Sequence, residues 1–203
     1  MPSFTPRMGR GAARILTALL ALYLLVLAIG LATMVPGRPI GEPWFTLMEL
    51  LILALLPALL VQFEALAQNG QESDPIKRRL LRIGAWGTAI LTGTLHHAII
   101  TTPTAQRARQ GLDFEWPSLA YWTDIIAWDG FFALAMVAAA TTIDRSRQLL
   151  RRLFLFGGLL ALAGWLGPLT GSMQVRNIGI IGYGPIFLIA TSMLARRFEG
   201  ETP

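Results

Sequence analysis

Six long apolar stretches separated by short polar connections constrain this chain more than any other feature: roughly 13–35, 44–67, 83–103, 118–142, 153–172 and 175–195. About 20 apolar residues in a helix, rising 1.5 Å each, cross about 30 Å of hydrocarbon. A segment in lipid must also satisfy its own backbone polar groups, and for stretches of this length the helix does so. The expected fold is therefore all-α: a polytopic integral membrane bundle of six transmembrane helices, with residues 1–203 as a single domain. Composition agrees, since 54% of the 203 residues are hydrophobic and 14% are charged.

The third and fourth stretches are the least apolar, carrying Thr92, Thr94, His96, His97, Thr101 and Thr102, then Asp124 and Asp129. The basic residues test them independently, because Lys and Arg accumulate in cytoplasmic connections. Thirteen of the 17 fall at the N-terminus, in the connections near 68–82 and 144–152, and at the C-terminus; the other four are Arg38, Arg107, Arg109 and Arg176. That asymmetry predicts six spans with both termini cytoplasmic, in the cell membrane. It also argues against nucleic acid as a partner, because the net charge of +5 is spread over helix ends and not gathered in one patch. Arg7, Arg10 and Arg14 ahead of an apolar run resemble a signal peptide, but the run is too long and lacks a small-residue cleavage site, so it reads as a retained first span. Trp44, Trp116 and Trp122 read as aromatic anchors at the outer interface.

Several chemistries are excluded early. The chain has no cysteine, which removes disulfides, thiolate nucleophiles and iron–sulfur ligation. Its two histidines are adjacent and point about 100° apart on a helix, too few for a three-histidine zinc site. Neither a metal nor another cofactor is expected. Glycines crowd spans 5 and 6, with Gly167 and Gly171 at small-xxx-small spacing, which predicts close helix packing and allows oligomerisation through those spans. Pro185 removes a backbone donor in the sixth span and predicts a kink there.

The polar residues inside the spans carry the functional expectation. An intramembrane charge costs roughly 2.5–3.5 kcal/mol on insertion scales, so each must meet a partner or a wet cavity. Glu49, His96, His97 and Asp124 all come out about 8–10 Å below the outer boundary. Arg176 and Asn177 open the sixth span from the same side, so four helices place polar groups at similar depth, which predicts a shared pocket in the outer half of the bilayer. Glu64 differs, lying at the inner interface where water can solvate it. Residues three, four and seven apart share a face, so Tyr121, Asp124 and Trp128 form one stripe, Thr94, His97 and Thr101 a second, and Arg176, Gly179 and Tyr183 a third. Asp129 sits five residues from Asp124, about 140° around an α-helix, on a face with Trp122.

A purely structural role would be interhelical glue, pairing His97 with Asp124 and Arg176 with Glu49. Hydrogen bonds between membrane helices average only about 0.6 kcal/mol, too little to favour burying three acids. The functional expectation is an enzyme acting on a hydrophobic small-molecule substrate, a lipid or isoprenoid, by proton transfer of isomerase or terpene-cyclase type. Burial disfavours a charged carboxyl, so Asp124 or Glu49 would be the general acid, with His97 as base and Asp129 as a further acid. His96, Tyr121, Trp122, Trp128, Arg176, Asn177 and Tyr183 would line the substrate site, the aromatic faces stabilising developing positive charge. The alternatives are a lipid- or pigment-binding subunit of a membrane complex and a small transporter, the latter weakened by the lack of related halves.

Overall fold

A computed structural model describes residues 5–35, 39–70 and 74–199; Arg38, one of the four basic residues in the less basic connections of the charge count, lies outside them. Six long helices run along the chain: α1 (Pro6–Ala32), α2 (Trp44–Asn69), α3 (Pro75–Thr101), α4 (Leu119–Thr142), α5 (Gln148–Thr170) and α6 (Met173–Arg196). No strand occurs among the described residues. All of these helices except α3 are long and apolar enough to cross a membrane.

Local chemistry explains where the helices begin. Thr5 caps α1 through its side chain and Pro6 fills the first turn, where a missing N–H costs nothing. Asp74 and Pro75 do the same for α3, and Ser118 caps α4 by accepting from the Tyr121 N–H at 3.1 Å. These caps start α1 and α3 about two turns before the hydrophobic stretches do, because the basic turns at 7–14 and 77–82 continue the helix into polar surroundings.

The core is built from one face of each helix. Phe63, Phe132, Phe154 and Phe187 meet from α2, α4, α5 and α6, with Phe132 and Phe187 edge to face at 4.8 Å. Small residues set the spacing. A Cβ on Gly84 would lie 2.5 Å from the Ala135 backbone nitrogen, so α3 reaches α4 closely only because it carries no side chain there. Gly182 meets the α5 backbone at Gly157 and Ala161 in the same way. The close approaches at Gly157, Gly158, Gly164 and Gly167 are thus made within the chain. Gly171 instead adopts φ 70° and forms the turn between α5 and α6.

Two helices depart from α geometry. In α4, Ile125–Phe132 winds as a π-helix, and in α6 the segment Gly182–Ile186 does so around Pro185, with the Phe187 N–H donating to the Gly182 carbonyl. The expected kink at Pro185 is therefore realised as a local widening of the turn. At the end of the bundle opposite the polar cluster, Glu64 is ion-paired to Arg82 at 2.9 Å, a correction to its reading as a merely solvated acid. Deeper in, Gln62 of α2 and Thr191 of α6 are buried and hydrogen-bonded to each other, a contact that hydropathy did not single out.

Candidate functional site

Charged residues of four helices gather in one cluster, linked by short contacts except between His96 and Asp124. Glu49 lies five residues into α2, His96 five from the end of α3, Asp124 five into α4 and Arg176 three into α6, so the up-and-down helix order brings all four to the same end of the bundle. Glu49 Oε2 is 2.7 Å from His96 Nδ1. The opposite ring nitrogen, Nε2, faces Asp124 Oδ1 at 3.7 Å, too long for a hydrogen bond, and has no other partner. Arg176 then joins the two aspartates, donating from Nη2 to Asp124 Oδ2 at 2.6 Å and from Nε to Asp129 Oδ2 at 3.0 Å.

The α4 π-turn makes that last link. In an α-helix Asp124 and Asp129 would point about 140° apart, as their spacing in the sequence implies. The i→i+5 winding of Ile125–Phe132 places residues five apart nearly above one another. Both carboxylates therefore face α6. Asp129 is fully buried, and two glycines make room for it: a Cβ on Gly164 would sit 2.5 Å from its carboxyl carbon, and one on Gly179 2.8 Å from Oδ1.

A cavity of about 240 Å³ borders this network. Glu49, His96, Asp124 and Arg176 form its polar wall, together with the rings of Tyr23, Trp128 and Tyr183. Apolar residues of α1 and α2, among them Leu20, Leu24, Met48 and Ile52, form the rest. Phe114, in the connection between α3 and α4, lies over the His96 ring with centroids 6.0 Å apart and covers the cavity on the side of that connection. Leu112 of the same connection is buried with Leu95, Ile99 and Ala120, which holds that cap in place. Tyr121 does not border the cavity, but its ring lies 4.9 Å from the Arg176 guanidinium carbon and supports it.

Three expected site residues lie elsewhere. His97 is exposed on the outward face of α3 with Thr94 and Thr101, because the buried face of that helix is fixed by Gly84, Thr88, Thr92, Leu95, His96 and Ile99. The imidazole at the site is His96, and the partners differ from those expected of interhelical glue: Glu49 pairs with His96, and Arg176 with Asp124 and Asp129. Trp122 is 39% exposed and packs against Trp116 and Trp165 outside the cavity. Asn177 is exposed on α6. Conversely, Tyr23 and Phe114 were missed; Tyr23 is the one aromatic side chain in the first apolar stretch, and that was its available signal.

No group of three or more metal-ligating side chains suited to an ion occurs among the described residues. Comparison with protein-family models, with curated proteins and with solved structures finds no match to this chain. The helices and their apolar outer faces define a multi-pass membrane protein, and its functional reading rests on the geometry of the site.

Proposed function

We propose that this is a six-span membrane protein, with both termini cytoplasmic, that transfers a proton to or from a lipophilic substrate held in the outer-half cavity. The single observation that carries the reading is the Glu49–His96 pair. A carboxylate fixes one imidazole nitrogen at 2.7 Å while the other is left without a hydrogen-bond partner, 3.7 Å from Asp124 Oδ1, and His96 and Asp124 both border the cavity. A base oriented by a third group is the recurring arrangement of acid–base catalysis. His96 takes the part of base, Glu49 positions it, and Asp124, held by Arg176, accepts or returns the proton across the short gap to Nε2. The aromatic wall of Trp128, Tyr183 and Tyr23 suits positive charge developing on carbon, as in an isomerisation or cyclisation.

The sixth span is α3. Its outward face in mid-helix carries Ile83, Trp86 and Ile90, each 48–59% exposed, which suits lipid and not water. Its polar residues Thr88, Thr92 and His96 are turned inward. The distribution of Lys and Arg supports the orientation.

Deuterium exchange tests the activity without a known substrate. The purified protein in nanodiscs is incubated in D₂O with a whole-lipid extract, and lipid masses are followed. Exchange of carbon-bound hydrogen into one lipid species is expected, falling about 100-fold in His96→Gln and Glu49→Gln and unchanged in His97→Gln. Absence of any exchanging lipid with the wild-type protein, or equal exchange in His96→Gln, contradicts the reading. A binding-only role is the second reading, favoured by the commitment of both aspartates to Arg176. It predicts a co-purifying lipid or pigment with no exchange.

A further inference from the structure

The cavity is bounded by helices that do not stay together. Among the described residues, α1 packs along the inner half of α6, from Phe187 onward, but stands off from its outer half, Met173–Ile181. The point where they part is Gly184, where an added Cβ would sit 3.1 Å from Leu24 Cδ2. Above that pinch Leu24 and Leu27 of α1 face Ile180 and Tyr183 of α6 across the cavity. These wedge residues are at most partly buried, and none carries a charge.

The polar wall has a sign. Glu49 and Asp124 set two carboxylates on it against one guanidinium, Arg176, and one imidazole, His96, while Asp129 pairs with Arg176 outside the lining. With His96 neutral, as a base waiting for a proton is, the acids of the wall exceed its one cation by one. Two of the Arg176 nitrogens are already engaged by the aspartates. An anionic headgroup would therefore enter a low-dielectric site already in acidic excess, where like charges repel strongly. A hydroxyl or carbonyl group meets no such penalty, and both hydrogen-bond donors and acceptors line the wall.

We propose that the cavity admits an uncharged amphiphile, with one hydroxyl or carbonyl on a hydrocarbon chain, sideways from the bilayer through the wedge between α1 and the outer half of α6, and excludes anionic lipids. This deepens the proton-transfer reading, on which it rests, by naming the class of substrate and its route. The chain of the ligand lies along Leu24, Leu27 and Ile180, and its polar group reaches His96 Nε2.

Photolabelling in nanodiscs tests this. A long-chain alcohol and the matching fatty acid, each bearing a diazirine on the chain, are compared by mapping labelled peptides. The alcohol is expected to label the segments 20–27 and 180–184 about tenfold more than the fatty acid does. Leu24→Trp and Ile180→Trp, made separately and checked by melting temperature, fill the wedge and are each expected to cut that labelling several-fold, on the order of 1 kcal/mol. Equal labelling by the fatty acid, labelling confined to the outward lipid faces, or no effect of either folded tryptophan variant would overturn the proposal. Deuterium exchange read in parallel separates the two failures: labelling as expected without exchange removes the catalytic reading alone, and exchange without wedge labelling removes this inference alone.

Discussion

At the scale of single residues, the site depends on side chains that are absent as much as on those present. Gly164 and Gly179 leave the space that the Asp129 carboxylate fills, so Gly164→Ala should push Asp129 off Arg176. The expected loss is about 3 kcal/mol, the scale for breaking a buried ion pair, and appears as a lower melting temperature. Gly11→Ala, where nothing lies within 4 Å, is expected to hold or slightly raise it, since alanine is the better helix former. The two histidines make a second contrast: His96→Ala destabilises and leaves Glu49 buried without its partner, whereas His97→Ala, on the exposed face, changes the melting temperature little. Glu49, Asp124 and Arg176 were legible as a cluster, because charge is costly in hydrocarbon and rarely falls at one depth in separate spans unless the groups meet. The choice between His96 and His97 was not. Adjacent residues on a helix differ by about 100°, and nothing in their neighbours' polarity told which side faced the bundle.

At the scale of the helix, the π-turn in α4 is what turns two aspartates into one site. Deleting Ile126, an exposed residue within it, should restore α winding and leave the two aspartates four residues apart, about 40° around an α-helix, so that both still face Arg176. The expected result is an unchanged helical circular-dichroism spectrum with deuterium exchange retained; exchange lost would show that the wider winding does more than absorb one extra residue. That turn was invisible beforehand, because Ile-Ile-Ala-Trp-Asp-Gly-Phe-Phe carries no proline and no local signal of wider winding. The tertiary pull of Arg176 on both carboxylates accompanies it. By contrast, the starts of α1 and α3 are readable in retrospect from Thr5–Pro6 and Asp74–Pro75. Hydropathy missed them because it follows the hydrocarbon and not the helix.

At the scale of the whole molecule, six helices alternating in direction bring the polar ends of four of them together and leave the other end basic. The absence of native cysteine makes the orientation directly testable. Gln106→Cys is expected to react with a membrane-impermeant maleimide on intact cells, and Ser146→Cys only after lysis; the reverse pattern would invert the topology. The bundle followed from length and apolarity and a shared pocket from the polar residues, whereas the apolar walls of the cavity on α1 and α2 did not, since they resemble any lipid-facing surface in sequence. Nitrogen-15 NMR of the two histidines in nanodiscs tests most directly whether one buried imidazole, fixed by Glu49, offers its free nitrogen to an amphiphile. One histidine should show a strongly hydrogen-bonded Nδ1 that is lost in Glu49→Gln and an Nε2 resonance that shifts when a long-chain alcohol is added. Two equivalent histidines, both indifferent to Glu49→Gln and to the alcohol, would contradict the account.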